Sequence, residues 1–304
     1  MKKSLIALAA LAFVGAASAQ SSVSLYGIAD IWVGKPEGGK IQAGSGGVNE
    51  SRWGLKGTED LGGGLKAVFN FESGFSLANG AVAGTLFNRQ ANVGFEGNFG
   101  TLKIGQSFNA LDDIFGAVNS GFDSALSANG AWLNSYTGEA IAQVYYATPE
   151  IAGFSGAVST QLNGNTANGA TKISALHVKY NNGPVYAGLG YENDKGIGRK
   201  GTLLNGSYDL GMAKLLASYY STKAFGTTAK VNSYQLGADI PVSAALTLSV
   251  GYASSKPTGG KSATGFGVAG AYALSKRTTV YGGVRQTNSV AGSDLWAVGV
   301  NHKF

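Results

Sequence analysis

Apolar residues alternate with small or polar ones along most of this sequence, in short runs broken by turn residues. Val23, Leu25, Gly27, Ala29 and Ile31 stand against Ser24, Tyr26, Ile28 and Asp30. Leu246, Leu248, Val250 and Tyr252 stand against Thr247, Ser249, Gly251 and Ala253 in the same way, and Phe266, Val268, Gly270, Tyr272 and Leu274 against Gly265, Gly267, Ala269 and Ala271. A strand sends successive side chains to opposite faces, so each run predicts a strand with one apolar face. Helical spacing fits none of them. In the carboxy-terminal run, Trp296, Val298, Val300, His302 and Phe304 share one parity, and Leu295, Ala297, Gly299, Asn301 and Lys303 the other. A bare terminal Phe has little use in water. It suits the closing strand of a membrane barrel, with Phe304 in an interfacial aromatic girdle and Trp296, Val298 and Val300 facing lipid.

Tight turns are predicted at 58–64, 96–100, 148–153, 181–184, 209–212, 241–244 and 273–277. Longer polar stretches lie near 34–48, 76–87, 108–138, 163–171, 194–200, 223–230, 255–262 and 287–294. Seven turns and eight loops join sixteen strands, an even number that leaves both ends on the side of the turns. The expected fold is therefore all-β: a sixteen-stranded antiparallel transmembrane barrel over residues 20–304, too wide for its own side chains to fill. A soluble sandwich would explain the alternation. It would not explain the turn–loop rhythm, the five prolines in 304 residues or the terminal Phe.

The amino terminus adds a location. Lys2 and Lys3, the apolar stretch Leu5 to Gly15 and the small-residue site Ala17-Ser18-Ala19 read as a cleaved secretory leader over residues 1–19, with Gln20 the expected mature start. The apolar stretch is shorter than the ~18–20 residues a spanning helix needs. No later segment approaches that length, so a membrane-spanning form of this chain must cross as closed strands. Losing Lys2 and Lys3 takes the formal charge from +6 to +4, and no basic run suggests a nucleic-acid surface. There is no Cys, which excludes disulfides and Cys-based metal sites.

The stretch from Phe108 to Gly138 is the longest connection and too apolar for a solvated loop: Ile114, Phe115, Val118, Phe122, Leu126 and Trp132 call for burial. Folded into the lumen, it would pack on the wall and project Asp112, Asp113 and Asp123 into the channel. Cations should oppose them. Trp53 and Leu55 suit lipid, which places Arg52 and Lys56 inside; Leu102 and Ile104 do the same for Lys103. Arg89 is placed in the lumen although the parity of its strand does not decide it. Opposed charges across a narrow gap set ion preference. The other reading of these charges is plain solvation in a wide wet interior.

No catalytic constellation is found. His177 belongs to the luminal parity and His302 to the outward one, on distant strands, without zinc-ligand spacing. Gly44-Ser45-Gly46 is only a degraded nucleophile-elbow pattern, within a flexible loop. No enzyme activity, cofactor or metal is expected.

SRWGLKGTEDLGGGLKAVFNFESGF, followed by NRQANVGFEGNFGTLKIGQ and the terminal VGVNHKF, resembles the trimeric general porins of beta-proteobacterial outer membranes, over essentially the whole mature chain. The resemblance implies a homotrimer, an inward third loop, and passive diffusion of ions and small hydrophilic solutes. It also implies an outer-membrane setting with lipid and lipopolysaccharide as neighbours. The better-studied family members prefer anions through an arginine cluster at the constriction, onto which Arg52 and Arg89 fall. Two departures weaken that preference. Gly105-Gln106-Ser107 stands where members often read Gly-Arg-Gln, and Glu139 lies where a further Arg is common. A mild anion preference is expected. Trimer contacts are expected near Val23, Leu25, Phe304 and the second loop, Ser76–Phe87. Two rival readings stay open: a substrate-specific channel with Tyr26, Trp32 or Tyr136 on a sugar track, and a non-conducting outer-membrane adhesin.

Overall fold

The computed structural model describes residues 22–82, 84–162, 172–288 and 294–304. The expected leader (1–19), the mature start Gln20, the loop at 163–171 and most of that at 287–294 lie outside the described residues. The strands in chain order are β1 Ser22–Pro36, β2 Gln42–Ser45, β3 Arg52–Gly62, β4 Leu65–Gly74, β5 Gln90–Gly97, β6 Gly100–Phe108, β7 Glu139–Ala147 and β8 Phe154–Gln161. They continue as β9 Ile173–Asn182, β10 Val185–Asp194, β11 Arg199–Asp209, β12 Lys214–Ala224, β13 Lys230–Pro241, β14 Leu246–Pro257, β15 Ala263–Ala273, β16 Thr278–Thr287 and β17 Leu295–Lys303.

Sequential strands pair antiparallel, and β17 closes on β1 from Ile28↔Lys303 to Pro36↔Leu295. Phe304 and Gly27 extend that seam by exchanging backbone hydrogen bonds of 3.1 and 3.0 Å. β2 and β3 are successive halves of one wall position: β3 pairs with β1 along Ser22–Ile28 and β2 along Ile31–Gly34. The wall is thus a closed barrel of sixteen positions, as the turn–loop rhythm predicts.

Asp30 causes the break between those halves. Its carboxylate is fully buried and accepts hydrogen bonds from the backbone N–H of Gly47 (2.8 Å), Val48 (3.1 Å) and Asn49 (3.0 Å). Tyr281 Oη (2.6 Å) and Asn301 Nδ2 (2.7 Å) donate to it as well. Three successive N–H groups turned onto one anion cannot also serve a ladder, so residues 46–51 leave the wall and bend inward. Gly47 passes Tyr281 so closely that a Cβ would lie 1.8 Å from its hydroxyl oxygen, which leaves room for glycine alone.

Several expected loops are shorter than their polarity suggested, among them 223–230, which shrinks to 225–229, and 255–262, which shrinks to 258–262. Much of 34–48 is hairpin, since β1 runs to Pro36 and β2 begins at Gln42; the stretch 194–200 shrinks to residues 195–198. Above the membrane both faces of a strand meet water, so hydropathy stops marking where the ladder ends.

The outward face is apolar: Val93, Ile104, Val178, Leu204 and Val298 are all exposed. At the short-turn rim the exposed residues Phe99, Phe154, Tyr208, Tyr272 and Phe304 form an aromatic band, as expected of a barrel at a membrane interface. Among the described residues no helix is long and apolar enough to cross a membrane. The hydrophobic core sits inside the barrel, where the long third connection packs on one wall. Leu111, Ile114, Ala128 and Trp132 meet Leu203, Tyr220 and Ala253, with Phe115 and Tyr136 packed against them.

Candidate functional site: a charged aperture beside the inward loop

The third connection, residues 109–138, begins with one helical turn, α1 Asp112–Phe115, and ends at β7. Its apolar residues behave as expected: Ile114, Val118, Leu126 and Trp132 are buried, and Phe115 and Phe122 pack on the two clusters beneath. Short polar side chains of the wall satisfy its backbone. Ser159 Oγ accepts from Ala110 N (3.0 Å), Ser249 Oγ from Gly121 N (2.7 Å) and Ser255 Oγ from Leu133 N (3.0 Å). Gln235 Nε2 donates to Val118 O (3.2 Å), and Asn205 Nδ2 to Ile114 O (2.5 Å). At about 1 kcal/mol net apiece, these bonds together hold the loop firmly. They also stabilise the left-handed backbone at Gly121, Phe122 and Asp123 (φ 62°, 62° and 52°).

The far end of the loop crosses the lumen. Ala125 N donates to Gly47 O (2.7 Å) on the inward bend, while Arg285 Nη1 donates to Ala125 O (2.8 Å). The bridge leaves a polar aperture of about 620 Å³ on the other side. Its wall side carries Glu50, Arg52, Arg89, Phe108 and Glu139; its loop side carries Asp112, Asp123 and Tyr136.

The arginines are in carboxylate company. Arg89 Nε donates to Glu72 Oε1 at 2.7 Å, and its Nη1 pairs with Glu50 and lies 3.9 Å from Glu139 Oε1. Arg52 Nε is 4.0 Å from Glu72 Oε2, which also accepts from Tyr26 Oη at 2.9 Å. On the loop, Tyr136 Oη donates to Asp112 Oδ1 (2.5 Å) and Asn119 Nδ2 to Asp123 Oδ1 (2.7 Å). Desolvation inside the narrow lumen raises both carboxyls, Asp112 to about 6.

The structure brings together only some of the residues expected at a constriction. Arg52, Arg89, Asp112 and Asp123 ring the aperture. Asp113 does not: successive residues of a helical turn point about 100° apart, and Asp113 accepts instead from Tyr145 Oη (2.6 Å), 3.5 Å from His177 Nδ1. Lys56 and Lys103 are inside the barrel but off the ring, their ammonium groups 5.0 Å and 5.6 Å from the Tyr26 and Tyr145 ring centres. His177 is luminal and buried, its Nδ1 2.5 Å from Ala110 O. The aromatics considered for a sugar track are engaged separately: Tyr26 on Glu72, Trp32 on the second cluster, Tyr136 stacked on Phe115 at 3.7 Å.

Sequence reasoning missed Glu50 and Glu72 as partners of the arginines, and Asp30 as the origin of the bend. For Glu72 a signal exists, since Asn70 and Glu72 share the parity opposite Phe69 and Phe71. Glu50 lies outside any strand, where parity says nothing.

Comparison with known proteins agrees with this architecture. The family model described as Gram-negative porin matches residues 5–292. Outer membrane porin protein 32 of Delftia acidovorans is 36% identical over 312 residues, covering 93% of this chain and 88% of the relative. An outer membrane porin protein of Bordetella pertussis is 31% identical over 387 residues, covering all of both chains. Among solved structures, an anion-selective porin from Comamonas acidovorans superposes with a TM-score of 0.81 at 27% identity, over 94% of this chain and 100% of that one. Vibrio cholerae OmpT shares the fold, with a TM-score of 0.71 at 18% identity over 93% of this chain and 98% of that one. An inward loop over a closed apolar-faced barrel and full-length similarity to outer membrane porins lead to one conclusion: the chain belongs to the Gram-negative porin family and forms a passive-diffusion channel in the outer membrane.

Proposed function

We propose that ions and small hydrophilic solutes cross each barrel through the aperture between the third loop and the β1–β7 wall. The observation that carries this reading is the bridge from Ala125 to Gly47, which separates a loop-filled side of the lumen from a charged, water-facing side. Solutes move down their own gradients, and no covalent step or cofactor takes part. The loop and the inward bend set the size limit; Arg52, Arg89, Glu50, Glu139, Asp112 and Asp123 set the charge bias. The mild anion preference implied by the family resemblance depends on guanidinium groups free to face the water.

The working unit in this reading is a homotrimer in outer-membrane lipid and lipopolysaccharide, exported by way of the leader at residues 1–19. Two features support association through the β1–β4 side. Val23 and Leu25 are exposed, and Phe87 of the second loop packs on Trp53 and Phe71, with ring centres 6.4 and 5.4 Å apart. Phe304, Val300, Val298 and Trp296 present the outward face that an assembly machinery would read.

Purified protein in a planar bilayer tests the proposal. Ohmic steps arriving in threes are expected. Folded, heat-modifiable protein that gives no conductance would defeat it and leave the adhesin reading.

A further inference from the structure

We infer that the aperture favours cations over anions, because the charges it shows to passing water are carboxylates. The inference rests on the channel reading above. It departs from the anion preference that Arg52 and Arg89 imply through the resemblance, and the difference lies in how those arginines are held.

Arg89 lines the aperture but shows it little of its guanidinium group. Its side chain is only 9% exposed and lies between carboxylates, donating to Glu72 and paired with Glu50. Glu72 is itself 5% exposed and within 4.0 Å of Arg52, so its single charge is shared between the two guanidinium groups from inside the wall. A charge paired within the wall acts on the passage as a dipole, and its field falls off faster than that of a free charge.

The exposed members of the ring have the opposite sign. Glu50 is 72% exposed and Glu139 40%, against 21% for Arg52. Across the gap Asp123 is exposed and Asp112 half-buried. Around the ring two guanidinium groups, Arg52 and Arg89, meet five carboxylates, from Glu50, Glu72, Asp112, Asp123 and Glu139. Lys56 and Lys103 do not redress the balance, because they lie off the ring above Tyr26 and Tyr145. Rings of fixed charge govern ion preference in a water-filled pore. A single charge acting across ~4 Å of water changes local ion concentration about six-fold before salt screening.

The test is the reversal potential of the trimer in a planar bilayer under a KCl gradient at neutral pH, for the wild type and for Glu50→Gln/Glu139→Gln. The wild type is expected to give the sign of a cation-selective pore. The double variant should lower the cation-to-anion permeability ratio about three-fold, allowing for screening by salt. Glu50→Gln alone, at a mostly solvated position, should move it the same way and guards against a folding defect in the double variant. An anion-selective wild type overturns the inference while leaving the channel reading intact, and so does a ratio unmoved by either variant. Folded protein without any conductance overturns both.

Discussion

The two sides of the lumen are built from strands of the same geometry and the same inward parity, yet they present different groups. From β8 to β16 the inward positions are mostly short and neutral: Ser159, Asn205, Ser233, Gln235, Ser249 and Ser255. From β3 to β7 they are charged: Arg52, Lys56, Glu72, Lys103 and Glu139, with Arg89 just before β5. Hydroxyls and amides can be satisfied by a loop backbone laid over them, so that side is covered. Charged groups need water or one another, so the other side stays open. Among the charged groups on the covered side, Glu192, Asp194 and Arg285 bind the loop: Asn109 Nδ2 donates to Glu192 Oε2 (2.9 Å), Thr137 Oγ1 to Asp194 Oδ2 (2.5 Å) and Arg285 Nη1 to Ala125 O (2.8 Å). On the proposed function, the composition of the wall decides where the passage lies.

The largest way to disturb this division is at Asp30, which folds residues 46–51 toward the loop. Asp30→Ala leaves three backbone N–H groups, Tyr281 and Asn301 without their acceptor, and should destabilise the barrel by about 4 kcal/mol. Urea unfolding followed by heat-modifiable gel mobility measures it; a loss below about 1 kcal/mol would show that the bend stands without Asp30.

The pairing on the open side comes next. Arg89→Gln leaves Glu72 buried with the Tyr26 hydroxyl and, as its only cation, Arg52 at 4.0 Å, and should cost about 3 kcal/mol, whereas Arg89→Gln/Glu72→Gln should cost clearly less. Equal losses in the same unfolding assay would mean that the two residues are not coupled. Neutralising Arg52 and Arg89 together should deepen the cation preference. An unchanged reversal potential would detach both from the aperture.

On the covered side, a Cβ at Gly251 would lie 2.0 Å from Ser120 Oγ, and one at Gly267 2.4 Å from Leu126 O. Gly251→Val/Gly267→Val should therefore push the loop off the wall at about 1–3 kcal/mol per site. Raised and noisier single-channel conductance is expected, together with protease cleavage within residues 119–131. Wild-type conductance with an uncleaved loop would contradict the packing described.

The smallest effect is that of pH. Asp112, raised by burial to about 6, faces Tyr136, Arg89, Asp113, Asp123 and Glu139. It takes up a proton as pH falls through that value, and Asp123, also raised by desolvation in the lumen, contributes in the same direction. The cation preference should therefore shrink between pH 8 and pH 5. Because the folded carboxyl of Asp112 lies above its unfolded value of about 3.9, its contribution to loop stability is fully present below the unfolded value and is lost as pH rises through about 6. Reversal potentials and proteolysis of the loop across that range check both signs. A flat selectivity profile would remove Asp112 from the passage.

Parity made the barrel legible. Trp53 and Leu55 against Arg52 and Lys56, or Val298 and Val300 against Ala297 and Asn301, place each side chain from residue order alone, and the burial of Ile114, Val118 and Leu126 follows from hydropathy. Distance across the lumen was not legible. Nothing in the order of residues says that Glu50, Glu72 and Arg89 meet, because three different strand positions and a bend bring them together. The bend itself depends on Asp30, which in the sequence is one more polar residue of inward parity.

The central claim is that the passage lies on the charged side and that the loop seals the other. The chain has no cysteine, so Glu50→Cys and Ser249→Cys can each be treated with a methanethiosulfonate reagent during single-channel recording. Ser249 is fully buried, its hydroxyl bonded to Gly121 N of the loop. The account predicts that current through Glu50→Cys falls on reaction while that through Ser249→Cys does not change. Block at Ser249→Cys with none at Glu50→Cys would place the passage on the wrong side of the loop and contradict it.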